Sequence, residues 1–167
     1  ARMSGFGIYV HWPYCAAICP YCDFNVYRAR GASNAPLLDA IEADLEVHAK
    51  RFSQRNAQSL FLGGGTPSLL RGEEIARIIE AARRSFGLAP GCEITLEANP
   101  EDASLFAEQA AAGVNRFSIG AQAFDDDALK ALGRRHDSAS ALRAVEAAAV
   151  TGQRVSLDLI YAREGQS

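Results

Sequence analysis

Short apolar runs alternate with longer helical patterns along the whole chain, and this alternation restricts the fold more than any other feature. Apolar residues recur at helical spacing in segments such as Glu73–Phe86, and the predicted helical segments Ala103–Ala112 and Ala139–Thr151 are rich in alanine. Strands that alternate with helices need crossover connections, which produce a parallel sheet. We therefore predict an α/β chain of five βα units, with strands at Phe6–Val10, Ser59–Leu62, Glu93–Leu96, Arg116–Ile119 and Val155–Ile160.

Polar residues alternate with apolar ones in four of these predicted strands, all except the second. In the third strand, for example, Ile94 and Leu96 alternate with Thr95 and Glu97. The strands of an open parallel sheet, covered on both faces, are normally continuously apolar, whereas these have one polar face. A wide, partly open parallel βα-barrel with a ligand in its lumen fits this pattern, because a filled eight-stranded barrel would carry branched apolar residues there. The alternative, a half-exposed antiparallel sheet, is disfavoured by the intervening helices.

Further polar residues and glycines gather where the predicted strands end. Gly63–Thr66 follows the second strand, Asn99 follows the third and Gln122 follows the fourth. Because βα folds build their ligand sites at the carboxyl ends of parallel strands, we expect one shared site at this edge.

Three of the four cysteines lie in the loop after the first strand, with the spacing C-x3-C-x2-C at Cys15, Cys19 and Cys22. A structural zinc site prefers four ligands, which His11 or Cys92 could complete, although neither forms the usual second pair. A ferredoxin-type sequence would supply a fourth cysteine shortly afterwards. Three thiolates on a [4Fe–4S] cluster leave one iron free to bind a substrate. The spacing therefore favours an open iron–sulfur cluster, with zinc as the alternative.

The cysteine spacing after a first barrel strand resembles the radical S-adenosylmethionine (SAM) superfamily. Five segments in order resemble its oxygen-independent coproporphyrinogen III oxidase group: IYVHWPYCAAICPYCDFN, FLGGGTPSLL, ITLEANPED, GVNRFSIGAQAF and VSLDLIY. The resemblance implies that the amino and carboxylate groups of SAM chelate the open iron. It also implies that an electron from the cluster can cleave SAM to methionine and a 5′-deoxyadenosyl radical.

The resemblance also implies a role for individual residues. It assigns the [4Fe–4S] cluster to the three clustered cysteines, and it assigns SAM to Tyr9, Tyr21, Gly64, Gly65, Thr66, Glu97, Gln122, Arg134 and Asp158. From the residues alone, the glycine segment could equally be a tight βα turn, and Arg134 could be a solvated helix end. His11 could face the lumen or be a structural, hydrogen-bonded histidine.

One position distinguishes two branches of the group. The decarboxylating oxidases carry a further cysteine two residues after the third cluster cysteine, and Phe24 stands there in this chain. The sequence is thus more similar to the haem chaperone (HemW) type, which implies binding of haem or a porphyrin and transfer of haem to an acceptor protein. A reductase or flavodoxin-type electron donor is a further implied partner. The alternatives are a true coproporphyrinogen III oxidase and a structural or zinc-binding fragment.

Composition and length set the remaining expectations. The formal net charge of −3 argues against nucleic acid as the main partner, and the apolar runs are too short to span a membrane. Clustered thiols without a recognisable signal peptide favour a cytoplasmic location. Members of the group are longer, so we expect residues 1–167 to be the N-terminal part of a radical SAM barrel, without the rest of the barrel and a C-terminal helical domain.

Overall fold

A five-stranded parallel sheet forms the centre of the chain, as the alternation of apolar runs predicts. The structure is a computed structural model and describes residues 5–29, 31, 33–52, 55–163 and 165–166. We number the sheet strands β1 (Gly7–Trp12), β2 (Ala57–Gly64), β3 (Leu88–Ala98), β4 (Arg116–Gln122) and β5 (Arg154–Leu159). They lie in this order and each is parallel to the next. Within the described residues β1 and β5 do not pair with each other, so the sheet is an incomplete barrel.

Helices connect the strands and pack against the apolar face of the sheet. They are α1 (Ala35–Arg51), α2 (Gly72–Phe86), α3 (Phe106–Ala111), α4 (Asp126–Ala131) and α5 (Ser138–Val150). The core contains strand residues such as Leu60, Leu96 and Ile119 together with Ile75 of α2 and Ala144 of α5. Among the described residues, none of the helices has the length and apolar character needed to cross a membrane.

The opposite face of the sheet carries the predicted polar residues, which bond to one another between strands. Arg116 of β4 donates to Glu93 of β3 and to Ser156 of β5. Further along the strands, the hydroxyl of Ser118 donates to the carboxylate of Asp158 at 3.1 Å. These bonds give the part-buried polar side chains hydrogen-bond partners, without which their burial would cost free energy.

The structure departs from the predicted elements in three places, the first being that β3 begins at Leu88 and not at the predicted Glu93. The alanine-rich segment predicted around residues 103–112 begins as a 3₁₀ helix, Pro100–Leu105, before α3. Pro100 starts this helix directly after Asn99, at a position where its missing N–H leaves no helical hydrogen bond unmade. In addition, the short strands Tyr14–Cys15 and Tyr27–Arg28 pair in parallel and close the base of the cysteine loop.

Candidate functional site

The cysteine loop begins where β1 ends and is closed by backbone hydrogen bonds. Tyr27 N–H donates to the carbonyl of Pro13 at 2.7 Å, and Ala29 N–H donates to that of Cys15 at 2.8 Å. Between these ties, Cys22 N–H donates to the carbonyl of Cys19 at 3.1 Å and forms a turn. All four cysteines of the chain are free thiols. The loop is therefore a closed structure that presents three unlinked thiols.

The glycine segment at the end of β2 packs directly against the start of the cysteine loop. Gly65 N–H donates to the Trp12 carbonyl at 2.6 Å, and Thr66 N–H donates to the Tyr14 carbonyl at 2.9 Å. A Cβ at Gly65 would lie 2.8 Å from both of those carbonyl oxygens, and one at Gly64 would lie 2.4 Å from the His11 ring. Gly64 also has a positive φ of 107°. Close packing against β1 and its loop thus requires glycine at both positions.

Glu97 extends from β3 toward the same segment. Its Oε2 accepts a hydrogen bond from the Gly64 N–H at 2.9 Å. Burial raises the pKa of the Glu97 carboxyl, the Gly64 hydrogen bond opposes this, and the nearby Asp158 carboxylate raises the pKa further. A negative charge at this position would be stabilised by a cationic ligand that takes the place of solvent.

Arg134 lies in the connection between α4 and α5 and reaches across the strand ends to the cysteine loop. Its Nη1 donates to the Cys19 sulfur at 3.5 Å, and its Nη2 donates to Asn99 Oδ1 at 2.7 Å and to the Gly120 carbonyl at 3.2 Å. The Nε is buried and has no hydrogen-bond partner within the described residues. The alternative of a solvated helix end is therefore wrong, since the guanidinium is anchored and retains one buried donor for a ligand.

Tyr21 lies beside Arg134 and Cys19, between the second and third cysteines of the loop. Burial raises the pKa of its phenol to about 12, with Arg134 opposing the shift and Cys19 adding to it. The phenol therefore stays neutral near pH 7 and adds an aromatic wall next to the thiols.

These groups surround one cavity of about 600 Å³ at the carboxyl ends of the strands. Eleven of the twelve predicted site residues line it: Cys15, Cys19, Tyr21, Cys22, Gly64, Gly65, Thr66, Glu97, Gln122, Arg134 and Asp158. Tyr9 does not line the cavity. Its hydroxyl is hydrogen-bonded to His11 Nδ1 at 3.1 Å, and its ring stacks on Phe61, which does. The predicted residues therefore converge, with Tyr9 one contact behind the wall.

Sequence reasoning noted some cavity residues without assigning them a role, and it missed others. Asn99 and Ser118 line the cavity at positions where polar residues follow or alternate along the strands. Phe61 lies in the wall although its type suggests core, and only its place in the period of two could have indicated it. Of the two roles considered for His11, the structural one fits. Its Nε2 is hydrogen-bonded to the Asn25 carbonyl at 2.9 Å and its Nδ1 to Tyr9.

The donors around the cavity fit a thiolate-bound cluster next to a polar, zwitterionic ligand. Burial raises the pKa of the Cys15 thiol, the Thr66 hydroxyl opposes this, and Cys22 and Cys19 raise the pKa further. Such mutual repulsion is relieved when the thiolates bind cationic iron. Within the described part of the chain, no three His, Cys, Asp or Glu side chains converge as the ligands of one metal ion. The unpartnered Arg134 Nε and the Glu97 carboxylate supply opposite charges for the two ends of an amino acid group.

A parallel, incomplete βα-barrel with three thiols at its mouth defines a class of iron–sulfur protein. Residues 9–167 match the Radical SAM superfamily, and the chain belongs to this family. Membership implies a [4Fe–4S] cluster and SAM as cofactors.

Individual relatives share most of this chain. It is 41% identical over 175 residues to the haem chaperone HemW of Mycobacterium tuberculosis, which covers 100% of the chain and 45% of the relative. It is 38% identical over 172 residues to HemW of Escherichia coli, which covers 99% of the chain and 45% of that relative. The mitochondrial radical S-adenosyl methionine domain-containing protein 1 of Bos taurus is 42% identical over 162 residues. The match covers 95% of the chain and 37% of that relative.

The fold is shared with a solved structure. Coproporphyrinogen III oxidase (HemN) from Escherichia coli, a radical SAM enzyme, has a TM-score of 0.83 and 30% identity, covering 94% of this chain and 37% of that one. The chain thus spans 37–45% of the length of these relatives.

Proposed function

We propose that this chain is the radical SAM part of a haem chaperone, which binds a [4Fe–4S] cluster, SAM and haem and delivers haem to an acceptor protein. The observation that carries the proposal is the shared cavity, in which the three cysteines face Glu97 and Arg134. Cys15, Cys19 and Cys22 would hold the cluster. When bound, the cluster supplies a reducing electron and an open iron for SAM.

The remaining cavity residues would hold SAM. Arg134 offers a buried donor suited to the SAM carboxylate, and Glu97 offers a carboxylate for its ammonium, sulfonium or ribose hydroxyls. Gly64, Gly65 and Thr66 would receive the SAM amino group, and Tyr21 would approach the adenine. Gln122 and Asp158 complete the polar wall on the β4–β5 side, and Tyr9 would support the site through Phe61.

Phe24 favours the chaperone over the oxidase. It lines the cavity at the position where decarboxylating members of the group carry a further cysteine, and its side chain is 61% exposed. The HemW relatives match nearly the whole chain at 38–41% identity. The second candidate is an oxygen-independent coproporphyrinogen III oxidase, which the similarity to HemN favours. Thiols that must bind iron also favour a reducing, cytoplasmic compartment, where an electron donor of the reductase or flavodoxin type would act.

The test uses the full-length protein, reconstituted anaerobically with iron and sulfide. We expect a full complement of [4Fe–4S] iron, its loss in Cys22→Ala, and its retention in Cys92→Ala, because Cys92 lies outside the cavity in β3. Zinc uptake in place of iron would contradict the proposal. Added haem should then shift the Soret band, while reductant with SAM reports cleavage as 5′-deoxyadenosine.

The oxidase is tested separately with coproporphyrinogen III as substrate. We expect no decarboxylation by the wild-type protein, and decarboxylated product would favour the second candidate. The Phe24→Cys variant tests whether the residue at this position decides between chaperone and oxidase activity. Phe24→Ser is its matched control, since it removes the ring without adding a thiol.

A further inference from the structure

The three nitrogens of the Arg134 guanidinium have three different environments in the cavity wall. Nη2 donates to Asn99 Oδ1 at 2.7 Å and to the Gly120 carbonyl at 3.2 Å. Nη1 donates to the Cys19 sulfur at 3.5 Å, and the buried Nε has no hydrogen-bond partner within the described residues. Nε is therefore available for the SAM carboxylate while Nη1 stays on the sulfur. The proposed contact with SAM does not account for the contact with Cys19.

Contacts on both sides of Arg134 hold its guanidinium in this orientation. A guanidinium can only donate, so the amide oxygen of Asn99 must face Arg134. The NH₂ group of Asn99 then faces Thr66, and its Nδ2 donates to Thr66 Oγ1 at 3.3 Å. Two residues after Arg134, the buried side chain of His136 is hydrogen-bonded through Nε2 to the Ala121 carbonyl of β4 at 3.1 Å. Arg134 is thus tied to the ends of both β3 and β4.

We infer that Arg134 donates a hydrogen bond to the Cys19 ligand of the cluster and thereby raises its reduction potential, and that Asn99 is a positioning residue for this donor. This inference rests on the proposed cluster site and adds the control of its potential. Hydrogen bonds to the sulfur ligands are among the factors that set the potential of an iron–sulfur cluster. A positively charged donor stabilises the reduced state most, because that state carries the greater negative charge.

The first variant is Arg134→Met, which keeps an unbranched side chain but removes the charge and the donor to Cys19. Arg135→Met is its matched control, because it removes the same charge one residue later. The Arg135 side chain is 60% exposed, and its Nε lies 3.4 Å from the Glu101 carboxylate. The measurement is the midpoint potential of the reconstituted full-length protein, from an EPR-monitored redox titration without SAM. Omitting SAM keeps any loss of SAM binding in Arg134→Met from affecting the result.

We expect Arg134→Met to shift the potential to more negative values and Arg135→Met to shift it much less, because solvent and salt screen an exposed charge. No shift in Arg134→Met, or equal shifts in the two variants, would overturn the inference.

Asn99→Ala separates the hydrogen bond from the charge, because it removes the 2.7 Å anchor and leaves the charge of Arg134 in place. We expect a negative shift that is smaller than that of Arg134→Met. The two substitutions also form a double-mutant cycle, in which Arg134→Met should shift the potential less in the Asn99→Ala protein than in the wild type. An equal shift in both backgrounds would overturn the positioning role of Asn99.

The outcomes also separate this inference from the proposed function. If the wild-type protein binds no cluster, both are overturned. If it binds one and Arg134→Met leaves the potential unchanged, only the inference is overturned and the cluster site stands. If Arg134→Met takes up no iron, Asn99→Ala is the deciding variant, since it keeps the positive charge beside the cysteines. An unchanged potential in Asn99→Ala would then overturn the inference, and a negative shift would support it.

Discussion

The carboxylate of Glu97 accepts a 2.9 Å hydrogen bond from the backbone N–H of Gly64, and this bond joins the ends of neighbouring strands β3 and β2. Gly64 leads into the segment that packs on the cysteine loop, where Gly65 and Thr66 bond to backbone carbonyls. Glu97 thus combines two functions, since it holds the glycine segment and places a negative charge in the cavity.

Replacing Glu97 by Gln separates these two functions. The amide keeps an oxygen for the Gly64 N–H but removes the charge that would face SAM. Because hydrogen bonds to charged groups are stronger than neutral ones by roughly 1–2 kcal/mol, we expect SAM affinity to fall about tenfold or more. Equilibrium dialysis of the reconstituted full-length protein measures this change.

Glu93→Gln is the matched control for that variant. Glu93 lies on the same strand, but it pairs with Arg116 and Arg154 and does not line the cavity. We expect unchanged SAM affinity in this control. Equal losses in the two variants would contradict a direct role for the Glu97 charge.

The raised pKa of Glu97 also predicts a pH dependence of stability. Burial makes the folded state hold the Glu97 proton more tightly than the unfolded state does. When the folded state binds more protons, the free energy of unfolding falls as pH rises from the unfolded pKa through the folded one. Gln does not titrate, so the Glu97→Gln protein should gain stability relative to wild type over that interval and keep the gain at neutral pH.

Urea unfolding of the cofactor-free protein at a series of pH values measures this difference. We expect the gap between the variant and the wild type to be smallest below the ordinary pKa of glutamate and to widen as pH rises. A gap that stays constant with pH would show that Glu97 is no harder to ionise in the folded state.

Gly64→Ala should destabilise the protein beyond the usual effect of a positive φ. A Cβ there would lie 2.4 Å from the His11 ring and 3.1 Å from the Trp12 carbonyl oxygen, so the ring or the adjoining backbone must move. Gly152→Ala is the matched control, because Gly152 also has a positive φ, of 75°, but no atom lies within 4 Å of its added Cβ. We expect Gly152→Ala to cost about 1–2 kcal/mol in unfolding free energy and Gly64→Ala about 1–3 kcal/mol more. Equal losses would mean that the His11 ring moves away at little cost.

The stacked pair Phe106 and Phe117 should contribute strongly to stability. Their ring centroids lie 4.7 Å apart, and both side chains are fully buried between α3 and β4. Phe106→Ala should lower the free energy of unfolding by about 3–5 kcal/mol, measured by urea denaturation. Val150→Ala, at a side chain that is 88% exposed, should change it by less than about 0.5 kcal/mol. A small loss of unfolding free energy in Phe106→Ala would contradict this prediction. It would indicate that neighbouring core side chains move into the space left by the ring.

Much of the fold could be predicted from local pattern. Strands at residues such as Ile94 and Leu96 can be recognised from the alternation of apolar and polar side chains, which follows from the geometry of a strand. The segment that starts α3 was less predictable, since its alanines suit a helix while Pro100 begins a 3₁₀ turn. Local propensity does not choose between these two helical forms, because short 3₁₀ segments are common at the ends of α-helices.

The candidate site, like the fold, was predictable from local pattern only in part. The cysteine spacing and the polar strand ends are local, and they indicate a ligand site at one edge of a parallel sheet. The contact between Arg134 and Cys19 joins positions 115 residues apart, and sequence left Arg134 open between a ligand contact and a solvated helix end. Long-range contacts depend on strand register and on the path of each crossover, which local pattern does not specify.

The amino-acid sequence by itself thus determined the order of strands and helices, the polar face of the sheet and the group of three thiols, because each is a property of neighbouring residues. The tertiary structure decided which atoms meet: the glycines are required by the approach of β1, and the direction of each hydrogen bond at Asn99 is set by its two partners. Those relations exist only when distant segments are packed together, since a side chain acquires a defined donor or acceptor role from the groups that surround it.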